Sequence, residues 1–136
     1  MFDVLEHTAD IGFRARGRTL AELFESAAEA LAALALEEAD VTPREAYALA
    51  ADGEDLESLL VNWLSEVLYL LDGRRVALGR FEVQEIASGR VRGEAFGEPL
   101  DPVRHRAKMV IKGVTYHQLK IAQDQQGWVA EVFLDI

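Results

Sequence analysis

The oxygen chemistry of this chain gathers at its two ends. Asp10 closes the segment Glu6-His7-Thr8-Ala9-Asp10, at a break just before an alternating apolar run. Asp135 is the penultimate residue, after a strongly β run, and Ile136 adds a main-chain carboxylate. If the first and last strands lie side by side, two side-chain carboxylates and one main-chain carboxylate converge. Three anions held together repel unless a cation sits among them. All-oxygen donors suit a hard ion such as calcium or magnesium. The plainer alternative makes Asp10 a turn cap and Asp135 a solvated tail.

Nitrogen chemistry is sparser. The histidines are His7, His105 and His117. Three imidazoles can hold zinc and leave a position open for water, which would make the chain a metal-dependent hydrolase. Their spacing matches no helical His pair. The competing reading is a strand or loop histidine with a satisfied hydrogen bond. His7, beside the acids, would alternatively donate to a carboxylate or orient a ligand. Lys112 sits in an apolar stretch, with Met109 to Ile111 before it and Val114 after. On a strand it would face solvent, or meet the acidic cluster or a partner's phosphate as a point charge.

Other mechanisms are struck out by missing residues. There is no cysteine, so disulfides, zinc–thiolate sites and thiol catalysis are excluded. No G-x-x-x-x-G-K-[ST] loop, G-x-G-x-x-G turn or G-x-S-x-G elbow is present. Acids outnumber Lys and Arg by 24 to 14, for a net charge of −10. Phosphate backbones are held by clustered Lys and Arg, so direct nucleic-acid binding is not expected. An acidic surface suits cations or a basic protein partner, or serves solubility alone. No apolar run reaches the ~18 residues that span a bilayer. The N-terminus has no basic, signal-like region, and the expected location is the cytoplasm.

The elements that must position these residues are readable in outline. With 136 residues, and no repeat or Pro/Gly-rich linker, the chain reads as one domain over 1–136. Phe2 to His7 and Ile11 to Arg16 read as strands around a bend at Thr8-Ala9-Asp10. Thr19-Leu20-Ala21-Glu22 is a capping-box pattern, and apolar residues at helical spacing follow to about Leu36. Arg44 to Ala51 is a third strand. A second helix starts at Asp52 or Asp55 and is ended by Gly73. Its polar row, Ser58, Asn62 and Glu66, reads as a solvated edge or as support for a site. Phe81 to Ile86 and Arg90 to Phe96 flank a hairpin turn at Ala87-Ser88-Gly89. Gly97 to Pro102 is a loop. Arg106 to His117 reads as a long strand with a bulge at Gly113, continued by Leu119 to Ala122. A turn at Gln123 to Gly127 and a last strand, Trp128 to Leu134, complete an α+β sandwich: two helices packed with a mixed or antiparallel β-sheet.

Five ordered stretches resemble the archease family. They are Glu6-His7-Thr8-Ala9-Asp10-Ile11-Gly12; Asn62-Trp63-Leu64 with Glu66; Gly97-Glu98-Pro99 with Asp101 and His105; Lys112 with Val114-Thr115-Tyr116-His117; and the closing Asp135-Ile136. The resemblance implies the sandwich-like archease fold and a protein cofactor rather than an enzyme. Its partner would be an RtcB-type RNA ligase, which joins 2′,3′-cyclic phosphate or 3′-phosphate ends to 5′-hydroxyl ends. The accessory promotes guanylylation of that ligase and its multiple turnover, in tRNA splicing or RNA repair. The resemblance further implies a divalent metal, calcium first and magnesium or manganese next, on Asp10, Asp135 and Ile136. It associates Lys112 with activity, and His7 becomes a partner-activating candidate. Gly113 departs from the family, where alanine is common, and Ser65 replaces a common Asn. Beside this stand two alternatives: the hydrolase built on His7, His105 and His117, and a general chaperone module.

Overall fold

The strands follow from alternation, and the helices from their caps. The structure is a computed structural model; it describes residues 1–6, 10–37 and 41–136, and of Leu5 and Glu6 the backbone alone. The strands are β1 (Phe2–Glu6), β2 (Asp10–Gly17), β3 (Glu45–Asp52), β4 (Val76–Ala87), β5 (Arg90–Pro99), β6 (Gly113–Asp124) and β7 (Gly127–Asp135). The helices are α1 (Leu20–Ala35) and α2 (Leu56–Leu68), the latter passing into a π-helical turn at Tyr69–Gly73. Thr19 caps α1, its Oγ1 accepting from the Glu22 N–H at 3.1 Å. Asp55, rather than Asp52, caps α2. Its Oδ1 accepts from the Ser58 N–H at 2.7 Å, and Ser58 Oγ accepts from the Asp55 N–H at 3.1 Å. Each such bond satisfies a donor that a helix start leaves without an intrahelical partner.

Among the described residues all strand pairings are antiparallel. One sheet has the order β1-β2-β7-β6 and the other β3-β5-β4. The two helices lie between them. α1 packs on β2, β7 and β4, and α2 packs on β6, β3 and β5. Alternation turns Ile11, Phe13 and Ala15 of β2 and Ala130, Val132 and Leu134 of β7 into the core. A helix covered from two sides must be apolar over most of its circumference. Accordingly α1 buries Leu23, Phe24, Ala27, Ala28, Ala30, Leu31, Ala32 and Leu34. Its alanines let both sheets approach closely. In α2, Trp63 is fully buried, and its indole N–H donates to the Phe24 carbonyl at 3.0 Å. Close backbone approach also sets a glycine: a Cβ at Gly97 would collide with the Ala77 carbonyl oxygen.

Three expected boundaries move. The strand expected from Arg106 begins only at Gly113. Residues 100–112 instead form a strap across the C-terminal end of α1. The Lys108 N–H donates to the Ala35 carbonyl at 3.0 Å, the Glu37 N–H donates to the Arg106 carbonyl at 2.8 Å, and Leu36 bridges Ala107. Ile111 is buried beneath it. The apolar run that resembled a strand is thus a segment lying on a helix end. The bulge falls later than Gly113. Between Thr115 and Lys120 the register shifts, so residues 116–119 stand opposite Val132 alone. Gln118 takes a left-handed φ of 54° there. Finally, β5 runs on to Pro99, into the segment expected to be a loop from Gly97.

A buried polar cluster anchors the strap. Glu98, at the end of β5, is 2% exposed. Its Oε2 accepts from the Thr42 N–H at 2.8 Å and from Arg104 Nη2 at 3.0 Å; Arg44 lies 3.4 Å from Oε1. His105 Nε2 is 3.1 Å from the same carboxylate. The Thr42 amide bond, helped by the Arg104 guanidinium, holds the Glu98 carboxyl below the usual carboxylate range against the opposing effect of burial.

Two expectations follow. Trp63→Ala should cost about 3–5 kcal/mol, the usual range for a large aromatic lost from a packed core; urea unfolding measures it, and a loss under 1 kcal/mol (~) would contradict the packing described. The second concerns acid. A carboxyl depressed on folding contributes stability above its ordinary value, 4.5 for Glu98, and loses it as the pH falls through the folded-state value. Asp55 behaves alike, held low chiefly by the Ser58 N–H. Glu98→Gln should therefore lower stability at neutral pH and give a shallower loss on acidification, read from unfolding midpoints between about pH 7 and pH 3. An acid limb as steep as that of the unaltered protein would assign the sensitivity elsewhere.

Candidate functional site

Asp10 and Asp135 meet across the β2–β7 ladder. They are direct register partners, the last pair before β7 ends. Directly opposed residues of antiparallel strands project from the same face, with Cβ atoms about 4.5–5.5 Å apart. Alternation places that face outward, because Ile11 and Leu134 occupy the core side. Asp10 is half-buried and Asp135 exposed. On the far side of Asp135 the ladder continues to Gly113 of β6. A Cβ there would meet nothing within 4 Å, so the row ends in open space, and alanine would fit without disturbing it.

Lys112 reaches the same place from the strap. Its N–H donates to the Asp135 carbonyl at 2.7 Å, which fixes its backbone beside the end of β7. Lys112 is exposed, as is Ile136. The row also has an apolar wall. Gly12 and Phe133 are the next outward-facing pair, and a Cβ on Gly12 would fall 2.7 Å from the Phe133 ring. The missing side chain lets that ring lie over the strand, where Phe133 is 3% exposed. Beyond it, Arg14 and Glu131 pair at 2.7 Å.

Asp10 and Asp135 thus bring oxygen donors together. Among the described residues no three His, Asp or Glu side chains gather as metal ligands. What the ladder offers is two opposed carboxylates, with Ile136 next to Asp135. Like charges directly opposite destabilise a β pair, and a hard cation between them reverses the sign.

Among the described residues His105 and His117 are not gathered into a nitrogen site. His105 is 1% exposed, with both ring nitrogens engaged. Nδ1 accepts from the Asp101 N–H at 2.9 Å, so the ring proton resides on Nε2, which donates to Glu98. A zinc ligand needs a free, reachable lone pair, and His105 presents none. His117 lies exposed on the β6 bulge, its N–H donating to Thr115 Oγ1 at 3.2 Å. His7, the third expected member, lies outside the described residues, and with it the Thr8-Ala9 part of the bend.

Sequence reasoning missed two functions of polar residues. Asn62 Nδ2 donates to the Asp52 carbonyl at 2.7 Å, and Ser58 completes the α2 cap. Asn62 thus ties α2 to the end of β3 and Ser58 closes the helix cap, while Glu66 is exposed. Glu98 was visible only as a motif letter, and His105 as a possible zinc ligand or a loop histidine with a satisfied hydrogen bond. A glutamate between Gly97 and Pro99 in an apolar context was the available signal for a buried carboxylate.

The comparisons with known proteins agree along the chain. The family model of the archease protein family matches residues 2–136. The protein archease of Methanosarcina acetivorans is 40% identical over 139 residues, covering 99% of this chain and 95% of that protein. That of Pyrococcus furiosus is 42% identical over 135 residues, covering 96% and 95%. A solution structure of a Methanobacterium thermoautotrophicum protein superposes with a TM-score of 0.78 at 31% identity, over 99% of this chain and 98% of that one. The crystal structure of a Thermotoga maritima archease, described there as a possible chaperone, gives 0.60 at 22% identity, over 97% and 94%, which bears on the fold alone. Among the described residues no helix is long and apolar enough to cross a membrane. The chain belongs to the archease family.

Proposed function

We propose that this chain is a protein activator of an RtcB-type RNA ligase, acting through the Asp10–Asp135 end and a divalent cation, calcium first. The observation that carries the reading is the register pairing of Asp10 with Asp135 and the docking of the Lys112 amide on Asp135. Asp10, Asp135 and the Ile136 carboxylate would hold the ion, which supplies positive charge for phosphate oxygens or for acidic groups of the ligase. Lys112 adds a mobile ammonium at the same edge. Together they would place the nucleotide phosphates in line for attack by the ligase's own histidine. Positioning and charge stabilisation are the main contributions available in such a transfer. The chain itself then performs no covalent step, and it contacts the ligase rather than the RNA.

The engagement of His105 argues against the hydrolase alternative. A general chaperone would act through apolar surface and be indifferent to Asp135.

Two measurements test the proposal. Asp10→Asn and Asp135→Asn should each weaken calcium binding at least tenfold by calorimetry, and a residue appended after Ile136 should do the same by converting its carboxylate to an amide; tenfold corresponds to about 1.4 kcal/mol. In a guanylylation assay with the cognate ligase, Asp10→Ala and Lys112→Ala, shown to be folded, should each lose about tenfold or more of the stimulation. Folded variants that stimulate like the unaltered protein would end the ligase reading. Suppression of aggregation of unrelated proteins, unaffected by Asp135→Asn, would favour the chaperone instead.

A further inference from the structure

Among the described residues three polar side chains are buried, and two of them, Glu98 and His105, touch each other far along the chain from the carboxylate row. Their surroundings trace a path to Lys112. The Asp101 N–H donates to His105 Nδ1 at 2.9 Å, and the His105 N–H donates to the Asp101 carbonyl at 2.7 Å. Residues 101–105 are thereby wrapped around one buried ring, and Glu98 fixes that ring to the end of β5. From His105 the chain crosses the end of α1 by the Arg106, Ala107 and Lys108 contacts, buries Ile111, and arrives at the Lys112–Asp135 bond of 2.7 Å. The α1 contacts hold residues 106–108, and the 101–105 turn sets the direction from which the chain enters them on its way to Lys112.

We infer that His105 is a positioning residue: its Nδ1, accepting from the Asp101 amide, sets the start of the strap and so holds the Lys112 backbone against Asp135. Glu98 serves this by accepting the hydrogen bond from Nε2–H, which leaves Nδ1 as the acceptor. A buried ring with one acceptor and one donor nitrogen cannot turn over without breaking both bonds, so the direction of the strap is set along with its position. The backbone arm of this inference stands on the geometry alone. Its consequence for activity rests on the ligase reading.

Two near-isosteric substitutions separate the nitrogens. His105→Asn keeps an acceptor where Nδ1 lies, and His105→Gln keeps a donor where Nε2 lies. Native-state hydrogen exchange of the full chain reads the Lys112 amide against those of Ala130 and Val132 in the middle of β7. The Gln variant should lower Lys112 protection by about tenfold or more while Ala130 and Val132 stay within about twofold; the Asn variant should keep Lys112 within about threefold. Equal behaviour of the two variants, or a drop shared by all three amides, would overturn the assignment, since a merely structural loss is global. In the guanylylation assay His105→Gln should reduce stimulation, and in a Lys112→Ala background it should reduce it no further. If Lys112→Ala alone changes nothing, the ligase reading fails while the exchange result still decides the positioning.

Discussion

The ladder between β2 and β7 is the constraint on which the rest of the molecule depends. It joins residues more than a hundred positions apart; Arg14 and Glu131, bonded at 2.7 Å, are separated by 117. Closing such a loop is entropically costly, and the cost is met only if the paired strands bury apolar surface together. They do so on one face, where Ile11, Phe13, Ala15, Ala130, Val132 and Leu134 form a continuous floor for α1. Because side chains alternate, the same pairing turns Asp10, Gly12, Arg14 and their partners outward in strict register. A slip of one residue in either strand would turn its aspartate inward and its share of the floor outward. The hydrophobic pattern of the core therefore fixes the alignment of the site.

The site's backbone was legible for that reason. Alternation in Ile11 to Arg16 and in Trp128 to Leu134 is strong, and two such strands at opposite ends of a small α+β chain have few places to go except beside each other. The Thr19 cap and the apolar face of α2 were legible because caps and periodicity act over one or two turns. What escaped was tertiary. Residues 106–112 carry strand-like residues, yet their partner is the end of α1, which no local pattern announces. Asp52 and Asp55 are equivalent as letters, and only the turn at Gly53 to Asp55 decides which one faces the Ser58 amide. The Glu98–His105 contact joins the end of β5 to a later turn, and its hydrogen-bond polarity depends on a backbone N–H of Asp101 that any residue there would supply, apart from proline.

The outer face of the ladder states the functional argument most sharply. Two rows on one face have the same geometry and opposite electrostatics. Arg14 stands opposite Glu131, the pairing that cross-strand energetics favours. Asp10 stands opposite Asp135, the pairing it disfavours. Between them the Phe133 ring lies over Gly12, so apolar material separates the acidic row from the guanidinium along the strand. A chain selected for stability alone would place a cation at one of these positions, as it does two rows away. Local rules are broken in folded proteins mainly where something else is gained. A positive charge brought to the row from outside, by an ion, by Lys112 from the strap, or by a partner, would supply that gain. Each of these answers the same repulsion, and the last would make docking itself the event that relieves it.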